Sequence, residues 1–109
     1  TVHGWFSGLH QETEQSARKY LGDDNTPAEK IHTKFNSLAM MCCADTCIIP
    51  MQDWLGLDKS ARMNVPGTVD VNWSWRLKKG QVTEELGKEI CSMTKLYGRA
   101  NWDALNRLS

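Results

Sequence analysis

A surplus of either charge is missing from this sequence: 13 Lys and Arg stand against 13 Asp and Glu over 109 residues. Binders of nucleic acid or anionic membranes draw much of their affinity from excess Lys and Arg, so the balance speaks against both partners. Long apolar runs are missing too. Stretches such as Leu38 to Ala44 fall far short of the roughly 20 residues that cross a bilayer. No repeat or low-complexity segment is present, and no basic start followed by an apolar core marks a secretory leader. The first residue is Thr, not Met, from which we expect a removed leader or a piece of a longer protein.

A paired set of metal-binding hooks is also lacking. The four cysteines give an adjacent pair, Cys42 and Cys43, a Cys43-x3-Cys47 spacing and the distant Cys91, and His3, His10 and His32 supply no second hook near Cys91, so this is not a zinc pattern. No metal and no cofactor are expected. Cys42 and Cys43 point about 100° apart on a helix and cannot readily pair, so apolar surroundings predict buried free thiols and a reduced, cytoplasmic protein.

Helical periodicity, by contrast, is plain. Trp5, Phe6, Leu9, Ala17, Tyr20 and Leu21 fit one face of a helix from Gly4 to Leu21, stopped by Gly22-Asp23-Asp24-Asn25. Thr26, Pro27 and Glu29 read as N-cap, first helical residue and capping-box partner. Ile31, Phe35, Leu38, Ala39 and Cys42 then make a buried helical stripe. Thr83 followed by Glu84 and Glu85 starts a further helix through Leu86, Ile90, Met93 and Tyr97, with Gly98 as its stop. A last helix from Trp102 to Leu108 takes Asn101 as cap and apolar contacts at Trp102, Leu105 and Leu108.

Between these helices the pattern changes. Thr46-Cys47-Ile48-Ile49-Pro50-Met51 is apolar, β-branched and without alternation, which predicts a short buried strand ending near Pro50. Gln52 to Leu77 has no steady period, and its three Trp argue for a long ordered loop. One buried strand has no partner within the chain to complete its hydrogen bonds. The expected fold is therefore an α/β fragment, residues 1–109 forming a single incomplete domain whose other strands lie upstream.

The loop carries a specific likeness. Met51-Gln52-Asp53-Trp54-Leu55-Gly56-Leu57, then Ala61-Arg62-Met63-Asn64-Val65-Pro66-Gly67-Thr68, then Asn72-Trp73-Ser74-Trp75-Arg76-Leu77 closely resemble, in order and spacing, the C-terminal active-site segment of the 4-α-glucanotransferases, or amylomaltases. Thr1-Val2-His3-Gly4-Trp5-Phe6 is similar to the stretch just after that family's Thr-His-Asp motif, and Leu96-Tyr97-Gly98-Arg99 to its closing helix. The resemblance implies the final portion of a (β/α)8 barrel, with Thr46–Met51 as its eighth strand and the loop leaving that strand's C-terminal end, where barrel enzymes assemble their sites.

It also implies retaining transfer of α-1,4-glucan segments between maltooligosaccharides, which needs two carboxyl groups about 5–5.5 Å apart. In the family both carboxylates, and a third that grips sugar hydroxyls, precede this segment, so the chain alone is expected to be inactive and to hold no catalytic residue. Its contribution is binding. Trp54, Trp73 and Trp75 offer faces for glucose rings, while Gln52, Asn64, Asn72 and Arg76 offer donors for hydroxyls. In an extended segment Trp73 and Trp75 point the same way, and one can plug the loop against the barrel. Arg62 and Arg76 are expected to hold the loop through carboxylate forks with Asp53 and Asp70, and Asp53 reads as structural rather than as an acid. The expected partners are an α-1,4-glucan and the rest of the parent barrel. Two other readings use the same residues: a small carbohydrate-binding module, and a helical interaction domain whose aromatics are core. Helices shaped to cover a barrel leave apolar surface without a lid, which predicts self-association or local rearrangement of the 109 residues.

Overall fold

The computed structural model describes residues 1–69 and 71–108, apart from the side chains of Leu105 and Leu108. Expectations placed on Asp70, Leu105 and Leu108 as contact partners lie outside the described residues. Six α-helices occur in order among the described residues: α1 (Val2–Ser7), α2 (Gln11–Leu21), α3 (Ile31–Met41), α4 (Met51–Trp54), α5 (Glu84–Leu96) and α6 (Trp102–Leu108). Short 3-10 turns at Ala28–Lys30 and Lys59–Ala61 complete the regular structure.

The first helix differs from expectation, because Gly4 to Leu21 is two helices. Thr1 caps α1 by accepting the Gly4 N–H at 3.1 Å, and the turn at Gly8 donates to the Trp5 and Phe6 carbonyls before His10 goes extended and α2 starts. Tertiary packing accounts for the break. Phe6 is buried against Phe35 of α3, ring centroids 6.2 Å apart, and the Arg18 guanidinium of α2 lies over the Phe6 ring, 5.2 Å from its centroid. No residue of α2 is buried, so it covers this core without entering it.

The capping box at Thr26 does not form. Thr26 instead donates its hydroxyl to Asp23 at 2.7 Å and its backbone N–H to the same carboxylate at 2.8 Å. These bonds, the hydroxyl first, hold the Asp23 carboxyl down to about 2. The chain then passes through the Ala28–Lys30 turn before α3 begins at Ile31. Along α3, Ile31, Asn36 and Met40 are buried, while Cys42 lies beyond its end and is exposed. All four cysteines are free, as expected, but none is buried: Cys42 and Cys43 are exposed, Cys47 and Cys91 half-buried.

No strand occurs among the described residues, so the expected buried strand at Thr46–Met51 is corrected. Ile48 is 85% exposed, and Pro50 serves as N-cap of α4. A β-ladder needs a neighbouring backbone, and none of the described residues supplies one here. The approach to this segment is satisfied differently: the Arg99 guanidinium donates to the carbonyls of Met40 at 2.7 Å, Ala44 at 2.9 Å and Cys42 at 3.2 Å. A single side chain from beyond α5 thus gathers the carbonyls at the end of α3 and just past it.

The last two helices match their sequence signals. Thr83 accepts the Leu86 N–H at 3.1 Å, Asn101 accepts the Ala104 N–H at 3.0 Å, and the Arg99 N–H returns to the Thr94 carbonyl across Gly98 to end α5.

The apolar core is small, consisting among the described residues of Phe6, Ile31, Met40 and Ala61, with Asn36 and Gln52 buried beside it. Accessible surface is 8203 Å², whereas a compact monomer of this mass exposes about 6,100 Å². The radius of gyration is 15.8 Å, against about 13 Å for a compact domain of this length.

Candidate functional site

The site is built where α1, α4 and the Lys59–Ala61 turn meet. Asp53 on α4 accepts the Val2 N–H at 2.8 Å through its carboxylate and the Asn36 side-chain amide at 3.2 Å through its carbonyl, which ties α1 and α3 to α4. Gln52, 7% exposed, donates to the Ala61 carbonyl at 3.3 Å and fastens α4 to the 3-10 turn. These ties leave a cleft of about 330 Å³ lined by Gln52, Asp53, Arg62, Met63 and Asn64, with Thr1, Pro50 and Ala61 completing the wall. Asn64 is exposed, and no described residue hydrogen-bonds its amide.

The polypeptide after Asn64 is a closed loop. The Trp73 N–H donates to the Met63 carbonyl across its neck. Val65-Pro66-Gly67-Thr68 makes a type II turn, with the Thr68 N–H on the Val65 carbonyl at 3.2 Å and Gly67 at φ +80°, a conformation that type requires at its third position. Asn72 braces the interior. Its side-chain carbonyl accepts the Val65 N–H at 3.0 Å, and its amide donates to the Thr68 carbonyl at 2.9 Å. Val71 and Trp73 are held in the left-handed region at φ 51° and 61°, which is strained for a β-branched and a bulky residue.

The structure therefore brings some of the expected site residues together and separates others. Gln52 and Asn64 share the first cleft. Asn72 and Trp75 line a second, of about 280 Å³, although the amide of Asn72 is committed to its own loop. Trp54 lines a third, of about 300 Å³, together with Met40, Cys47, Ile49, Thr94 and Arg99. Trp73 is 65% exposed and lines none of these. The two indoles do not share one extended run, because the left-handed φ at Trp73 breaks the alternation that would align them.

The arginine expectation also changes. Arg76 donates through Nη1 to the Trp73 and Trp75 carbonyls at 3.1 and 2.9 Å, not to Asp53, whose carboxylate is occupied by Val2. Arg62 has no ion pair among the described residues. Asp53 accordingly acts as a structural anchor.

One residue of this region escaped sequence reasoning. His32 of α3 packs its ring on Gly56 so closely that a Cβ placed there would lie 2.5 Å from the ring. Its Nδ1 is buried without a partner among the described residues. Desolvation pushes its basicity below the ordinary histidine value, His3 adds to the effect, and Glu89, the Glu29 backbone and Asp53 oppose it. A lone His on an amphipathic helix carries no sequence signal for such a contact.

Chemically, the first cleft offers amide and carboxylate groups from Gln52, Asn64 and Asp53. Glycosyl transfer with retention needs two carboxyl groups astride the scissile bond, and among the described residues Asp53 is the only carboxylate lining this cleft. No group of three or more potential metal-ligating His, Cys, Asp or Glu occurs among the described residues. No helix among them is long and apolar enough to cross a membrane.

Comparison with known proteins gives a consistent result. A sequence model of the 4-alpha-glucanotransferase family matches residues 1–83. The chain is 41% identical over 105 residues to the chloroplastic/amyloplastic 4-alpha-glucanotransferase of Arabidopsis thaliana, covering 91% of this chain and 17% of that enzyme. It is 38% identical over 99 residues to the 4-alpha-glucanotransferase of Synechocystis, covering 91% of this chain and 19% of that one. Among solved structures, the amylomaltase from Streptococcus agalactiae in complex with acarbose superposes with a TM-score of 0.83 at 32% identity, over 93% of this chain and 20% of that one. The chain thus spans about a fifth of the length of these relatives, and the matched part is carboxy-terminal in them. On the strength of these matches, the chain belongs to the 4-alpha-glucanotransferase family.

Proposed function

We propose that this chain is the closing portion of a (β/α)8 barrel that transfers α-1,4-glucan segments between maltooligosaccharides with retention, and that its role is to bind glucan rather than to cleave it. The observation that supports this reading is the cleft in which the Asn64 amide, bonded to no described residue, stands beside Gln52. An unpaired amide supplies both a donor and an acceptor, the pair of functions that a sugar hydroxyl needs. The acarbose complex of the related amylomaltase supports an α-glucan-like ligand.

The two reacting carboxyl groups belong to the preceding part of the barrel in this reading, so the 109 residues alone transfer nothing. The exposed segment around Ile48, which forms no ladder among the described residues, would then gain backbone partners only from the rest of the barrel. Asn72 serves in this reading as the brace of the loop that follows the cleft, while Trp54, Trp73 and Trp75 lie outside the Asn64 cleft and offer ring-facing surface beyond it. Four free thiols favour a reducing compartment, and we assign the cytoplasm, although the Arabidopsis relative is named as chloroplastic/amyloplastic.

The test is twofold. Purified 109-residue chain is incubated with maltotriose and the products resolved by chromatography; longer oligosaccharides would refute the assignment of catalysis to another part. Maltoheptaose is also titrated against the full polypeptide as its source makes it, with calorimetric readout. Binding that Asn64→Ala weakens about tenfold supports the reading, since losing a hydrogen bond to a buried sugar hydroxyl costs about 1–2 kcal/mol. Binding untouched by that substitution overturns it.

A second reading, a free-standing carbohydrate-binding module, draws on the half-buried Trp75 and exposed Trp73. It requires millimolar or tighter maltotriose binding by the 109 residues alone, seen as a change in Trp fluorescence.

A further inference from the structure

Two clefts meet on Trp75 and Ser60, one of about 470 Å³ and one of about 280 Å³, and neither contains Gln52 or Asn64. Their combined size lies within the range of small-molecule sites. Trp75 is half-buried and lines both. Part of its indole surface is thereby open to the groove.

The charge around it is one-sided. Lys59 and Arg62 line the smaller cleft, Arg76 and Lys78 the larger, and among the described residues the only carboxylate lining either is Asp58. That carboxylate accepts the Ser60 N–H at 2.9 Å and the Ser60 hydroxyl at 2.5 Å, and its single charge, which also acts on neighbouring Lys59, leaves the cations in excess among the described residues. None of the four cations takes part in an ion pair among the described residues, where the pairs are Glu14–Arg18, Asp23–Lys34 and Glu84–Lys88. Four such cations beside one engaged acid stand out in a chain whose total charges cancel. Arg76 is also positioned in advance, its Nη1 pinned to the Trp73 and Trp75 carbonyls while no described residue bonds the rest of the guanidinium.

A neutral glucan needs an aromatic platform and hydroxyl partners, and brings no charge to balance the excess of cations over acids among the described residues. A phosphate ester supplies it, because guanidinium and ammonium groups make short charge-assisted bonds to phosphate oxygens. We propose that the Trp75 groove is a second binding site of this chain, taking an α-glucan segment that carries a phosphate ester, with a glucose ring on the indole and the phosphate among Arg76, Lys78, Lys59 and Arg62. The inference rests on the proposed glucan function for its sugar component, and on the charge distribution for its phosphate.

The experiment is calorimetric titration of the full polypeptide with four probes: maltoheptaose, maltoheptaose bearing one 6-phosphate, glucose 6-phosphate and inorganic phosphate. The phosphorylated oligosaccharide should bind at least about tenfold more tightly than the neutral one, the worth of one charge-assisted hydrogen bond. That advantage should shrink with added salt and vanish in the double variant Lys59→Gln, Lys78→Gln, whose side chains are exposed and bonded to no described residue. Asn64→Ala should weaken the neutral probe and leave the phosphate advantage in place. Equal affinity for the two oligosaccharides, an advantage that survives the double variant, or inorganic phosphate binding as tightly as the phosphorylated oligosaccharide would each overturn the proposal. If the phosphorylated probe binds and the neutral one does not, the glucan cleft at Asn64 fails while this site stands. Neutral binding lost in Asn64→Ala, with no gain from phosphate, sinks this site alone.

Discussion

Gly56 and His32 show how much can turn on one atom. Gly56 combines φ +68° with an imidazole where its Cβ would sit, so Gly56→Ala meets both a backbone penalty and a clash. We expect the substitution to destabilise by about 1–3 kcal/mol, the usual range for a strained left-handed residue, read as a lower urea midpoint. His32 itself titrates in a defined direction. Its folded pKa lies below the ordinary 6.5, so in the window between those two values the unfolded chain binds more protons than the folded one. The contribution to stability is therefore complete above 6.5 and falls as the pH drops through the lowered value. Urea midpoints at pH 7.5 and 5.5 should show this loss, and His32→Gln should flatten it; a steeper loss in the variant would contradict the assignment. Neither effect was legible in the sequence, because Gly56 and His32 meet only after α3 and α4 have packed.

At the scale of elements, local chemistry was legible wherever its partners are three or four residues away. Thr83 and Asn101 cap the helices that their positions predicted. Thr83→Ala should cost about 1 kcal/mol, measured by thermal or urea unfolding. Where a competing geometry exists nearby, the local rule fails: Thr26 has the cap spacing, but its hydroxyl and backbone N–H both donate to the Asp23 carboxylate, which folds it into the turn ahead of the Ala28–Lys30 segment. The junction after α3 depends on a partner more distant still. Arg99 is separated by 59 residues from Met40 and by 55 from Ala44, yet it gathers both carbonyls. Arg99→Met keeps much of the apolar stem and removes the donors, and should cost about 1.5–3 kcal/mol through the lost charged hydrogen bonds. Faster amide exchange in α5 and just past α3 would localise that loss.

For the whole molecule, the surplus of exposed surface is the governing fact. The chain exposes 8203 Å², about 2,000 Å² more than a compact monomer of its mass. Exposed Trp5, Ile48, Leu96 and Trp102 contribute to it. The apolar part of this surplus is unfavourable in water and is relieved by contact. The 109-residue chain by itself is accordingly expected to associate at tens of micromolar, seen as a concentration-dependent sedimentation coefficient, and to bind a hydrophobic dye. A strictly monomeric, dye-silent chain would mean that this surface is self-sufficient.

By itself, the sequence determined the family, through three ordered motifs between Met51 and Leu77, and the helix ends whose capping partners lie within one turn. The loop expected from Gln52 to Leu77 is shorter in the structure, because α4 and the Lys59–Ala61 turn occupy its first part; the turn at Pro66-Gly67 and the Asn72 bonds lie in the remainder and act within a few residues. Only the tertiary structure decided that Thr46–Met51 forms no ladder among the described residues, that Gln52 and Asn64 share a cleft while Trp54 faces another, and that Asn72 is occupied while Asn64 is free of the described residues. The physical reason is range. A cap or turn is satisfied by backbone groups that the chain brings along with it, whereas a strand, a cleft or a free amide is defined by atoms that arrive from dozens of residues away.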